Sequence, residues 1–188
     1  VRLIARGWTD NSQTLPWLKT LIESDENWVV QHAVVQELAK AWKDDPDTLS
    51  SLKSRFQSHE YWIMRRTVVH ELAKTWKDDP DTLPILKQRA QADVHWAVRQ
   101  AAVEELARSW KDEPGMFESL YNCALNDPFE RKEDREDNPR QLALEIIIKQ
   151  YPDHPQTLPL LQDRAENDPD EKVREFARKK LEQLERQN

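Results

Sequence analysis

The sequence predicts an all-α fold, an α-α superhelix (solenoid) of stacked antiparallel helix pairs with a 34-residue period. Three observations carry this expectation. Residues 14–47, 48–81 and 82–115 align with one another in phase and without a gap, the signature of a repeat architecture. Only Gly7 and Gly115 are glycine among 188 residues, too few for the turns of a mostly sheet fold. Most of the eleven prolines fall between apolar segments, where proline punctuates helices.

The elements follow in order along a single array spanning residues 1–188. Residues 1–13 read as the end of a preceding repeat, because Ile4, Ala5 and Trp8 occupy the places of Leu38, Ala39 and Trp42. Each regular repeat then holds two helical patterns. The first is short, with Leu83, Leu86 and Ala90 at i, i+3 and i+7 and a threonine (Thr48, Thr82) near its N-terminal cap. The second runs from about Trp96 to Trp110, with Val98, Ala101, Ala102 and Leu106 as one stripe and Trp96, Val103, Ala107 and Trp110 as its neighbour. So wide an apolar face suits a helix packed against several others. A KDDPD-type turn closes the repeat. Residues 116–156 form a fourth repeat carrying seven extra residues near 129–138, and residues 157–188 a polar terminal one. One such hairpin cannot bury its apolar face, and stacking covers it.

Composition narrows the function. A formal charge of -7 argues against general binding to nucleic acid or anionic lipid. No apolar run is long enough to cross a membrane, and a cytoplasmic setting is expected. The single Cys123 excludes a disulfide framework and a cysteine-rich zinc site. The five histidines form no column and no HExxH string, no Walker A string is present, and no serine stands in a nucleophile elbow. No catalytic residue, metal or cofactor is therefore expected.

The motifs DPDEKVREFA (Asp168 to Ala177) and ADVHWAVRQAAVEEL (Ala92 to Leu106), recurring in phase, resemble HEAT repeats, and NDPFERK (Asn126 to Lys132) keeps the opening of that motif. The resemblance covers nearly the whole chain. It implies a structural ladder between repeats, with Asp93, Asp127 and Asp168 facing Arg99, Arg140 and Arg174. Asp25 with Gln31, and His59 with Arg65, depart from that pair. More narrowly, TLPLLQDRAENDP and the ELAxxWKDDPD strings resemble repeats of bacterial, especially cyanobacterial, NACHT-type signal-transduction NTPases, in which such repeats follow the nucleotide-binding part.

Candidate contact residues are those that repeat at an edge or break the rule. Trp28, Trp62 and Trp96 recur at 34 where the second helices start, and serve either as packing or as interface anchors. Trp17 breaks its column. Gln31, Arg65 and Arg99 form a varying column, expected to face outward, and Lys19, Lys53 and Lys87 one that stays basic. The acidic turns read as helix caps, solvated surface or a partner edge. Phe129, within the FERKEDREDN insertion, is a candidate apolar contact in a loop or extra helical turn. The leading function is a non-catalytic protein-interaction, scaffold or sensor module, its partner a protein or another domain of the same chain. A HEAT-like enzyme acting on DNA bases, a pigment-lyase-like protein and a passive spacer are the alternatives. Trp96 with Asp93 is the pair on which the DNA-base reading would rest.

Overall fold

The computed structural model describes residues 1–24, 27–58 and 61–186, with the side chains of residues 55–58 left aside. Among the described residues all regular structure is helical. The helices are α1 (Arg2–Gly7), α2 (Thr14–Ser24), α3 (Trp28–Ala41), α4 (Pro46–Ser58), α5 (Trp62–Thr75), α6 (Thr82–Ala92), α7 (Trp96–Ser109), α8 (Met116–Asn126), α9 (Pro139–Gln150), α10 (Thr157–Asn167) and α11 (Glu171–Glu185). They pack in pairs, as the repeat pattern requires. The chain divides into two compact units, Val1–Leu86 and Lys87–Asn188, with the division inside α6.

In the first unit α2 packs on α3 and α4 on α5, while α3 lies against both α1 and α5. The core is drawn from the predicted stripes: Leu18, Val34, Leu38, Leu52, Val69 and Leu72 are at most 1% exposed. In the second unit α8 packs on α9 and α10 on α11, and α9 lies between α7 and α11. Val98, Ala102, Leu106, Leu120, Leu144, Ile147 and Leu161 fill its centre. Small alanines in α7 let the neighbouring backbones approach.

The second helices end alike. Trp42, Trp76, Trp110 and Tyr151 each stand at the C-cap and donate the backbone N–H to a carbonyl four residues back. Their rings close the end of the hydrophobic stripe, and the Trp76 indole N–H donates to Lys43 O at 3.0 Å, satisfying the one polar atom of a largely apolar ring. The following turn is capped by its own acid: Asp45 Oδ1 accepts from Thr48 N (2.8 Å) and Thr48 Oγ1 (2.9 Å). Where the fourth repeat starts, Gly115 adopts φ 76°, a left-handed backbone that glycine enters without a Cβ penalty.

Candidate functional site

The starts of the second helices are built by side-chain caps. Asn138 Oδ1 accepts from Arg140 N and Asp170 Oδ1 from Lys172 N, both at 2.9 Å, and His95 Nδ1 accepts from Ala97 N at 3.2 Å. Each cap satisfies an N–H that the first helical turn leaves open.

Beneath these caps, in the second unit, two arginines are wholly engaged. Arg99 Nε and Nη2 donate to Asp127 Oδ2 and Oδ1 at 2.6 and 2.8 Å, and Arg99 Nη1 donates to Asp93 O at 2.8 Å. Arg140 Nε donates to Asp168 Oδ2 at 3.0 Å and Nη2 to Oδ1 at 3.1 Å, while its Nη1 reaches Asp127 O (2.6 Å) and Phe129 O (3.0 Å). The carboxylates turn back on their own chain: Asp127 accepts from Phe129 N, Asp168 from Asp170 N and Asp93 from His95 N, each at 2.9 Å. A planar fork with five donors suits this two-sided linking. Arg174 reaches Asp168 O in the same way but turns its other end to Glu171. Asp25 and His59 lie outside the described residues.

The column expected to face outward does not. Gln31 and Arg65 are 6% exposed and Arg99 is 4%. Side chains three residues into a helix lean back toward its N-terminus, which here is the buried junction with the preceding loop. Gln31 Nε2 accordingly donates to Ile22 O at 3.3 Å. Arg65 and Arg99 are therefore not surface contacts. Two members of the constant basic column have a partner the sequence reading missed, the acidic turn that closes their own repeat. Lys19 Nζ meets Asp45 at 2.9 Å, and Lys53 Nζ meets Asp79 at 2.5 Å and Asp81 at 2.9 Å. A 26-residue offset recurring between a lysine and an aspartate was the available signal.

The insertion is an ordered loop with no helical turn. Glu136 Oε2 accepts from Lys132 N (2.6 Å) and Glu133 N (3.0 Å), and these two backbone bonds hold its carboxyl below the usual carboxylate range. The loop is clamped to the start of α11. Arg131 Nε and Asn138 Nδ2 donate to Asp170 Oδ2 at 3.0 and 2.9 Å, and Lys172 Nζ donates to Asp134 O at 2.7 Å. Burial pushes the Asp170 carboxyl up, but the bonds from Arg131 and Asn138 outweigh it and leave the group below its ordinary value. Phe129, expected as an exposed contact, is 4% exposed. Its ring meets Trp96 edge-on (centroids 6.1 Å, 84°) beneath the Arg131 guanidinium, 5.6 Å from the centroid. The reason is the Asp127 cap, which turns the chain inward directly before Phe129.

The tryptophans differ in exposure. Trp28 is 42% and Trp17 36% exposed, whereas Trp62 and Trp96 are half-buried. Trp96 is stacked on His95 at 5.7 Å. Beside it Val94 is 90% exposed, and the two line an open groove of about 460 Å³ with Pro128, Glu130, Lys132 and Glu136. A second groove, of about 590 Å³, lies on the other side of the loop against Pro169, Asp170 and Lys172. Asp93, which would serve a base-processing site, is 2% exposed and points at the His95 backbone rather than into the groove. Cys123 is buried, and burial, with Asp127 adding to it, pushes the thiol up to about 12. Such a thiol is protonated at neutral pH and a poor nucleophile. Among the described residues no cluster of three or more His, Cys, Asp or Glu side chains is placed to hold a metal, and no helix is long and apolar enough to cross a membrane.

A family model described as HEAT repeats matches residues 1–73 and again residues 52–137. Neither the curated proteins nor the solved structures compared with the chain include a match.

Proposed function

Because the chain belongs to the HEAT-repeat family, we propose that it is a non-catalytic interaction or scaffold module that holds another protein or another domain of its own chain. The observation that carries this reading is the groove beside α7. An almost fully exposed Val94 stands next to a half-buried Trp96, over a floor tied down by buried Arg–Asp pairs and rimmed by Glu130, Lys132 and Glu136. An apolar anchor within a polar rim is the arrangement that interface hot spots use. Trp28 and Trp17 are the corresponding exposed anchors of the first unit. The burial of Asp93 speaks against the reading as an enzyme acting on DNA bases, and the apolar anchors speak against a passive spacer, which calls for a uniformly polar edge. The resemblance of the ELAxxWKDDPD strings is the ground for proposing a setting beside a signal-transduction NTPase.

Affinity capture with the chain as bait tests the reading. One stoichiometric partner is expected, retained by wild type and lost by Val94→Asp with Trp96→Ala. Recovery of no partner, or equal recovery by that variant, counts against the groove as the contact.

A further inference from the structure

The opposite ends of the second helices hold a separate feature in the first unit. Arg6, Lys40 and Lys74, 34 residues apart, stand in the last turns of α1, α3 and α5. With Arg2 and Lys43 they line an open groove of about 600 Å³. The two arginines are engaged: Arg2 Nη2 donates to Gln36 Oε1 at 2.7 Å, and Arg6 forks onto the buried Glu37 at 2.9 and 3.2 Å. Lys40, Lys43 and Lys74 are exposed, and their ammonium groups make no hydrogen bond or ion pair among the described residues.

Helix dipoles account for one cation in each last turn, and Arg108 and Lys149 continue that pattern in the second unit. They do not account for Arg2 or Lys43, nor for the difference between the units. Arg108 folds back onto Glu105, and the places of Gln36 and His70 are taken by Glu104 and Glu145. This groove thus gathers Arg2, Arg6, Lys40, Lys43 and Lys74 against Glu37 and Glu71 in a chain whose formal charge is -7.

We propose that this groove binds an acidic peptide segment, whose aspartate or glutamate carboxylates pair with Lys40, Lys43 and Lys74. Lysines on flexible stems meet carboxylates at variable positions, which suits a peptide. A nucleic-acid backbone fits less well. Its evenly spaced phosphates would lie along Glu37 and Glu71, which line the same groove, and against a net-negative protein. The proposal rests on the interaction-module reading for its class of partner, but uses none of the groove beside α7.

The test is fluorescence anisotropy of the full chain with a labelled alternating Glu–Ser peptide, an alternating Gln–Ser peptide and single-stranded DNA of equal length. Binding of the Glu–Ser peptide alone is expected, weakening as salt rises. Lys40→Gln with Lys74→Gln should weaken it about tenfold, with unchanged circular dichroism, while Arg108→Gln and Val94→Asp leave it intact. Absence of Glu–Ser binding, equal binding by the double variant, or tighter binding of DNA would overturn the proposal. If the peptide fails while Val94→Asp with Trp96→Ala still loses a captured partner, this groove is wrong and the module reading stands. Peptide binding without any captured partner supports this groove and removes the one beside α7.

Discussion

The two units use one repeat template, and the described charge pairs set on it differ. In Lys87–Asn188 the link is a buried fork, with Arg99 on Asp127 and Arg140 on Asp168, and every pair at most 4% exposed at the side chain. In Val1–Leu86 the same column holds Gln31, bonded to a carbonyl, and the buried Arg65, while the lysine pairs, Lys19 with Asp45 and Lys53 with Asp79, tie the first helix of a repeat to that repeat's own closing turn and are partly exposed. Buried forks are intolerant of a missing partner, because the remaining charge has no water to turn to. Exposed pairs are weak and replaceable. The forks are accordingly the exacting links, and the second unit, which holds the two described ones, also carries the ordered insertion.

The largest effect should come from breaking a fork. Asp168→Ala strands Arg140 and is expected to cost about 3–5 kcal/mol in denaturant unfolding. Arg140→Met together with Asp168→Leu removes both charges of the fork and should cost far less, because Arg164, which also meets Asp168 at 3.3 Å, keeps Asp163 as its partner. If the double variant is as damaged as the single one, charge burial is not what makes the fork exacting.

Phe129→Ala removes a buried ring from between Trp96 and Arg131 and should cost about 3 kcal/mol. It should also raise hydrogen exchange in residues 129–138. A cost within that of a surface substitution would mean that the loop does not depend on its anchor.

Acid should act on both units through different aspartates. The bond from Lys19 holds Asp45 below its ordinary value despite some burial, and Asp170 is held below it by Arg131 and Asn138 despite burial. A depressed carboxyl contributes stability that is fully present above its unfolded value, about 3.9, and is lost as pH falls through the folded one. Asp45→Asn and Asp170→Asn should therefore each flatten the loss of stability below about pH 4. An unchanged acid limb in both would sink this assignment.

The smallest effect is expected for Lys53→Met. A half-exposed pair of this kind is worth about 1 kcal/mol or less, and the difference from wild type should shrink in high salt. A larger loss than for Asp168→Ala would reverse the comparison between the units.

Much of this was legible in the residues. A 34-residue period with apolar positions at helical spacing places each side chain on a helix and in a column, so helix pairs and their cores follow from it. Trp42, Trp76 and Trp110 as closers of the second helices also follow, since an apolar ring at the end of a stripe must cover it. What lay outside its reach was the direction in which polar columns point. Gln31, Arg65 and Arg99 vary as a surface column would, yet they are buried, because the column lies at the junction with the preceding loop, where Gln31 meets the Ile22 carbonyl and Arg99 the Asp127 carboxylate. The lysines at 19 and 53 look like solvated charges until the next turn is laid beside them. Phe129 sits in a charged run, and only the Asp127 cap and the Trp96 edge show that it turns inward.

The sequence by itself determined the helix pairs, their period, the apolar core and the break in the fourth repeat, because these depend on spacing along one chain. Tertiary structure alone decided which charges are paired, which tryptophans meet solvent and where the insertion folds. Those outcomes depend on what a neighbouring helix or turn brings within about 3 Å, and a one-dimensional pattern carries no record of that distance.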